Sequence, residues 1–124
     1  MNRIIKKGGI NMSKIIEVTK DEFKQEVLER DLPVLVDFYT DGCGPCEAMV
    51  PVLDALSERL DGKIQIIKHK VTMEDVLEGQ SWIVKEYDVL SFPTLMIFKD
   101  GEMLKQNFGA LYEEELLKFL DVVL

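Results

Sequence analysis

The chain has 124 residues, 47 % of them hydrophobic, and a formal net charge of -8 from 23 acidic and 15 basic side chains. That length suits one domain, because two halves would each fall near the lower limit for an independent core. The acidic balance argues against nucleic-acid binding, which needs a basic face for phosphates, and against docking on an anionic membrane surface.

No run approaches the roughly 18 consecutive apolar residues of a spanning helix. The basic N-terminus, Met1 to Gly9, lacks the apolar stretch of a secretory signal, so a cytoplasmic location is expected. Residues 1–14 hold Arg3, Lys6, Lys7 and Lys14, no acid, and a Gly8-Gly9 break. They read as a mobile basic tail ahead of a domain spanning residues 15–124.

Lys14 to Val18 reads as a short strand. Thr19 followed by Glu22 is a capping box, opening a helix that buries Phe23, Val27 and Leu28 and ends near Arg30. Pro33 to Thr40 is a near-continuous apolar run, as a central parallel strand covered on both faces requires. After the Cys43-Gly44-Pro45-Cys46 turn, Met49, Val52, Leu53, Leu56 and Leu60 recur at helical spacing up to Asp61-Gly62. Pro51 removes a backbone donor within that helix and is expected to kink it.

Lys63 to Val71 is a second core strand, which makes a right-handed strand–helix–strand unit. Residues 73–88 form a third helical region with Val76, Leu77, Ile83, Val84 and Tyr87 buried and Gly79 as a candidate break. Phe92-Pro93 opens the strand Thr94 to Phe98. Asp100-Gly101 is a two-residue hairpin signal joining that strand to Glu102–Phe108. Leu111 to Leu124 closes as an amphipathic helix on Leu116, Leu117, Leu120 and Val123. The order of elements predicts an α/β fold with a central mixed sheet flanked by helices on both faces.

Only two cysteines are present, three positions apart. A disulfide closing so small a loop constrains the unfolded chain little, so the pair is better placed for chemistry than for stapling. On the first turn of a helix, Cys43 would sit beside free backbone N–H groups and the positive end of the dipole. That environment favours the thiolate and lowers its pKa from about 8.5 toward roughly 7. Cys43 would then attack a target disulfide, and the more buried Cys46 would release the reduced target. A lone C-x-x-C is also half a zinc site. Zinc wants four ligands, however, and the chain offers one histidine, His69, and no third cysteine. A metal or iron–sulfur cluster shared between two chains is the form of that alternative that survives.

With Val36-Asp37-Phe38-Tyr39, Cys43-Gly44-Pro45-Cys46, Pro51, Phe92-Pro93-Thr94, Phe98 to Glu102 and Gly109-Ala110 in place, residues 15–124 closely resemble the thioredoxin family. The resemblance implies a protein-disulfide reductase with no cofactor beyond the redox-active Cys43–Cys46 disulfide, acting as a monomer on disulfide-containing proteins. It implies a cis peptide before Pro93, set against the cysteines. A substrate segment would add as a strand along Phe92, with Gly42, Gly44, Pro45, Pro93 and Gly109 lining the groove. Asp37 would be a buried proton acceptor near Cys46, with Lys68 as its partner. Burial should raise the Asp37 pKa. Gly-Pro between the cysteines goes with reducing members, at about -270 mV for thioredoxin itself, rather than with oxidising relatives near about -120 mV. That figure belongs to thioredoxin itself rather than to these residues.

Two positions depart from the family pattern. Gly42 stands where thioredoxins usually carry tryptophan, so the upstream reductase, NADPH- or ferredoxin-linked, is not identified by the resemblance. Glu47 follows Cys46 in place of the common lysine. Its charge disfavours thiolates and should nudge the pair toward a more reducing potential. The region 72–88 is also several residues longer than usual, and its Trp82 reads as a packing residue. Gly42 sustains an alternative function: a binding module that holds one partner in the Phe92-Pro93 groove and uses the dithiol as a redox switch.

Overall fold

The computed structural model describes residues 13–124; most of the expected basic tail, residues 1–12, lies outside them. Ser13 and Lys14 are tied to the domain. The Ser13 hydroxyl donates to Asp54 at 2.9 Å, and the Lys14 N–H donates to the Ser57 hydroxyl at 3.0 Å.

Five strands form one mixed sheet: β1 (Ile16–Glu17), β2 (Val34–Tyr39), β3 (Gln65–Lys70), β4 (Thr94–Lys99) and β5 (Glu102–Phe108). Their spatial order is β1-β3-β2-β4-β5, with β1, β3 and β2 parallel and β4 and β5 antiparallel. β2 is central, and Val34 to Phe38 are all buried, which is why its sequence lacks polar alternation. Asp100 and Gly101 both take positive φ, as a tight hairpin between β4 and β5 demands.

Alternate residues of β2 feed two cores. Val34, Val36 and Phe38 pack with Phe23, Val27, Ile67, Ile83 and Phe98 on one face. Leu35 packs with Leu53, Leu56, Ile66, Ile97 and Leu116 on the other. Asp37 shares that second face, because side chains alternate along a strand.

Several helices differ from expectation. The first is α-helical only over α1 (Lys20–Phe23) and continues as a π-helical turn over Lys24–Leu28, where the Glu29 N–H donates to the Lys24 carbonyl. The helix after the cysteines is two segments, α2 (Gly44–Ala48) and α3 (Val50–Arg59), parted at Met49. Pro51 lies in the first turn of α3, the place where a missing N–H costs least.

Residues 73–88 resolve into α4 (Met73–Leu77) and α5 (Trp82–Tyr87), with Gly79 between them at φ +64°. Each has its own cap: the Thr72 hydroxyl accepts from Asp75 N–H, and the Ser81 hydroxyl from Val84 N–H. Leu77, expected in the core, is 73 % exposed because it is the last residue of α4. Trp82 packs its ring edge-on to Phe23 while remaining partly exposed. The C-terminal helix is α6 (Glu113–Phe119), tightening to a 3-10 turn over Leu120–Val123.

Candidate active site

β2 leads straight into the cysteine turn. Cys43 is the N-cap of α2, with extended backbone, and its Sγ accepts a hydrogen bond from the Cys46 N–H at 3.1 Å. A sulfur therefore takes the capping role usually filled by Ser, Thr, Asp or Asn. Gly44 and Pro45 are exposed, Cys43 is half-buried and Cys46 is buried. The two cysteines form a disulfide with Cα atoms 5.2 Å apart. Gly42 takes φ +71°, and a Cβ there would meet nothing within 4 Å. Backbone conformation, rather than lack of room, favours glycine ahead of Cys43.

The Phe92-Pro93 peptide is cis. Phe38 at the end of β2 pairs with Thr94 at the start of β4, which puts Pro93 at the same end of the sheet as the cysteine turn. The Gly109 N–H donates to the Pro93 carbonyl at 2.8 Å, and Gly109 takes φ +105°. Phe92 is half-buried against the Phe23 core. Sequence and register thus bring Gly42, Gly44, Pro45, Pro93 and Gly109 to one end of the sheet.

Asp37 is fully buried, and neither carboxylate oxygen has a hydrogen-bond partner. Burial pushes its pKa up to about 6, against the pull of the Lys68 charge, with Glu17 adding to the rise. Lys68 pairs with Asp37 in register, on the same face, but its ammonium rests over the Tyr39 ring, 4.4 Å from the centroid. Tyr39 donates its hydroxyl to Glu17 at 2.7 Å; burial, and then that bond, push its pKa up. A cleft of about 110 Å³ runs along Tyr39, Asp41, Gly42, Cys46, Glu47 and Lys68, so the second cysteine and the lysine share one opening.

Glu17 and Tyr39 were not singled out as site residues by the sequence. They are 22 positions apart, on strands separated by β3, and meet because the tyrosine side chain reaches across that strand. No local signal marks such a contact. Among the described residues, no group of three or more His, Cys, Asp or Glu side chains is placed to hold a metal, and no helix is long and apolar enough to cross a membrane.

An N-capping cysteine bonded to a buried one three residues on, following the central strand of a mixed sheet, defines a thiol–disulfide oxidoreductase. The thioredoxin family model matches residues 14–122. The chain is 39 % identical to thioredoxin of Rickettsia felis over 84 % of its length and 93 % of that protein. It is 38 % identical to thioredoxin 1 of Nostoc sp., covering 89 % and 97 % respectively. It is also 42 % identical to thioredoxin of Porphyra purpurea, covering 82 % and 90 %. The chain belongs to the thioredoxin family, and it is an oxidoreductase that reduces protein disulfides through Cys43 and Cys46.

Proposed function

We propose that Cys43 is the attacking thiol, Cys46 the resolving thiol and Asp37 the proton acceptor for Cys46. In the reduced state the Cys43 thiolate attacks one sulfur of a target disulfide, forming a mixed disulfide and expelling the other target sulfur as a thiolate. Cys46 then loses its proton toward Asp37, directly or through water in the adjoining cleft. Its thiolate attacks the Cys43 sulfur, forming the Cys43–Cys46 bond and expelling the second target sulfur as a thiolate, which takes up the proton held by Asp37 or one from water. The Cys43–Cys46 disulfide is the oxidised product, and two electrons from an upstream dithiol reductase, NADPH- or ferredoxin-linked, restore the pair.

The observation that carries this assignment is the inequality of the two sulfurs: Cys43 half-buried with a donor N–H on its Sγ, Cys46 buried. A hydrogen bond to the charged form favours the thiolate. The groove for an extended substrate would run along Phe92 and Pro93, with Gly42, Gly44, Pro45 and Gly109 leaving backbone open to it. Lys68 would tune Asp37 by its charge. The functional unit is residues 15–124, a cytoplasmic monomer needing no cofactor besides its own disulfide. The excess of acidic side chains supports a role apart from nucleic acid and membrane.

The test is insulin-disulfide reduction with dithiothreitol as donor. The wild type turns over many equivalents, Cys43→Ser none above dithiothreitol alone, and Cys46→Ser accumulates a mixed disulfide with the target. A single equivalent from the wild type would favour the redox-switched binding module, the reading that Gly42 keeps open. No rate above dithiothreitol alone would overturn general reductase activity.

A further inference from the structure

Glu17 on β1, Lys68 on β3 and Asp37 on β2 stand side by side across three neighbouring strands. Residues paired across strands point to the same face, so all three lie on the side of the sheet that carries α2 and α3. A lysine next to a buried carboxyl is expected to reach it, since an uncompensated charge there is costly. Yet both Asp37 oxygens are without a partner. The Lys68 ammonium lies instead on the face of the Tyr39 ring, and that ring is tethered through its hydroxyl to Glu17.

We propose that Glu17 and Tyr39 are positioning residues: the Glu17 carboxylate anchors the Tyr39 ring, and the ring face holds the Lys68 ammonium off Asp37. The proposal rests on the reading of Asp37 as proton acceptor for Cys46. Held apart, the lysine attracts the carboxylate only weakly, and Asp37 keeps an affinity for protons near neutral pH. In direct contact it would turn Asp37 into an ordinary, weakly basic carboxylate. The direction of the Asp37 shift agrees: burial outweighs Lys68, and Glu17 pushes the same way as burial.

The charged and titratable groups around this site come from four elements. They are Glu17 from β1, Lys68 from β3, Tyr39 with Asp41 from β2 and the turn beyond it, and Cys46 with Glu47 from α2. β4 places only Leu95 opposite Asp37. Asp41 is drawn outward by its ion pair with Lys70 at 3.3 Å. That leaves the Tyr39 ring as the element that decides where Lys68 rests.

The experiment is an NMR titration of the Asp37 carboxyl carbon in the disulfide form, where no cysteine titrates. Tyr39→Leu removes the ring face, and the midpoint should fall by about one pH unit or more as Lys68 reaches Asp37. Tyr39→Phe keeps the ring but cuts the tether to Glu17, so a smaller fall is expected. In a Lys68→Met background, Tyr39→Leu should leave the midpoint where that background sets it. An unchanged or raised midpoint in Tyr39→Leu, or an equal fall without Lys68, overturns the proposal. A fall in Tyr39→Leu with none in Tyr39→Phe overturns the anchoring role of Glu17. The catalytic reading is checked separately by the pH dependence of turnover in Asp37→Asn. If that profile matches the wild type while the NMR shifts occur, Asp37 is not the proton acceptor although the positioning holds.

Discussion

Neighbouring strands of the sheet each bury a titratable side chain, Asp37 on one face and His69 on the other, in different surroundings. On the α3 face Asp37 feels the charges of Lys68 and Glu17, and Lys68 in turn shares a small cleft with Tyr39 and Cys46. On the other face His69 is 2 % exposed, its ring set edge-on to Phe23 and Phe38. One His69 nitrogen, Nδ1, meets the Val18 carbonyl at 2.9 Å, while Nε2 has no partner. Burial pushes the His69 pKa down and that of Asp37 up, so both are driven toward neutrality. A buried group whose pKa rises only to about 6, as that of Asp37 does, is ionised at neutral pH and can accept a proton. One kept neutral among rings is a packing element, even though His69 also borders a broad open cleft with Lys20 and Asp75.

The comparison breaks most readily at the aromatic face. Phe23 is fully buried and touches the rings of Phe38, His69, Trp82, Tyr87 and Phe98. Phe23→Ala should cost about 3–5 kcal/mol in urea unfolding. Insulin reduction per folded molecule should stay unchanged, and a loss of turnover there would join the two faces functionally.

Asp37 offers the next largest effect, with the opposite sign. Its folded pKa of about 6 exceeds the unfolded value of 3.8, so the folded state binds more protons between those limits. Its contribution is therefore fully favourable below the unfolded value and is lost as pH rises through about 6. Asp37→Asn should be more stable than wild type at pH 8, by on the order of 3 kcal/mol. Near pH 3 the difference should vanish. The same variant should slow turnover by about a hundredfold. Equal unfolding midpoints at pH 8 would contradict the burial of an unpaired carboxylate.

His69 carries the mirror-image dependence. Its folded pKa lies below the unfolded 6.5, so its share of stability is lost as pH falls through that value. His69→Leu should flatten the acid side of the stability curve just below that point and leave turnover intact. An unaltered curve would mean that His69 finds a partner for its second proton in the fold.

The smallest effect belongs to the caps. Thr72→Ala removes the hydroxyl at the start of α4 and should cost about 1 kcal/mol by thermal unfolding.

Much of the first face is legible in the sequence. Cys43, Cys46, Pro93 and Asp37 announce themselves because each is a residue type out of place in its local setting: two cysteines three positions apart, a proline at a strand start, an acid in an apolar run. Asp100-Gly101 was legible for a similar reason, since few pairs accept positive φ at both positions. The split between α4 and α5 was half visible in Gly79, but the caps at Thr72 and Ser81 compete with many similar residues nearby. The exposure of Leu77 depends on where α4 stops, which periodicity does not set. The π-helical turn over Lys24–Leu28 has no sequence marker that we recognise. The Glu17–Tyr39 contact is a product of strand order, and strand order is a property of the whole chain.

β1 is two residues long and sits at an edge of the sheet, paired to β3 alone. Short edge elements open at lower free energy than the core they border. Because Glu17 is half of that strand, fraying at this margin would reach the dithiol's surroundings while loosening only the rim of each core, where Ile15 and Ile16 pack. A purification tag or fused domain added at the N-terminus would load this margin through Ser13 and Lys14, whose hydrogen bonds to Asp54 and Ser57 hold it to α3. For anyone engineering this protein, the C-terminus beyond Val123 is the safer end to extend.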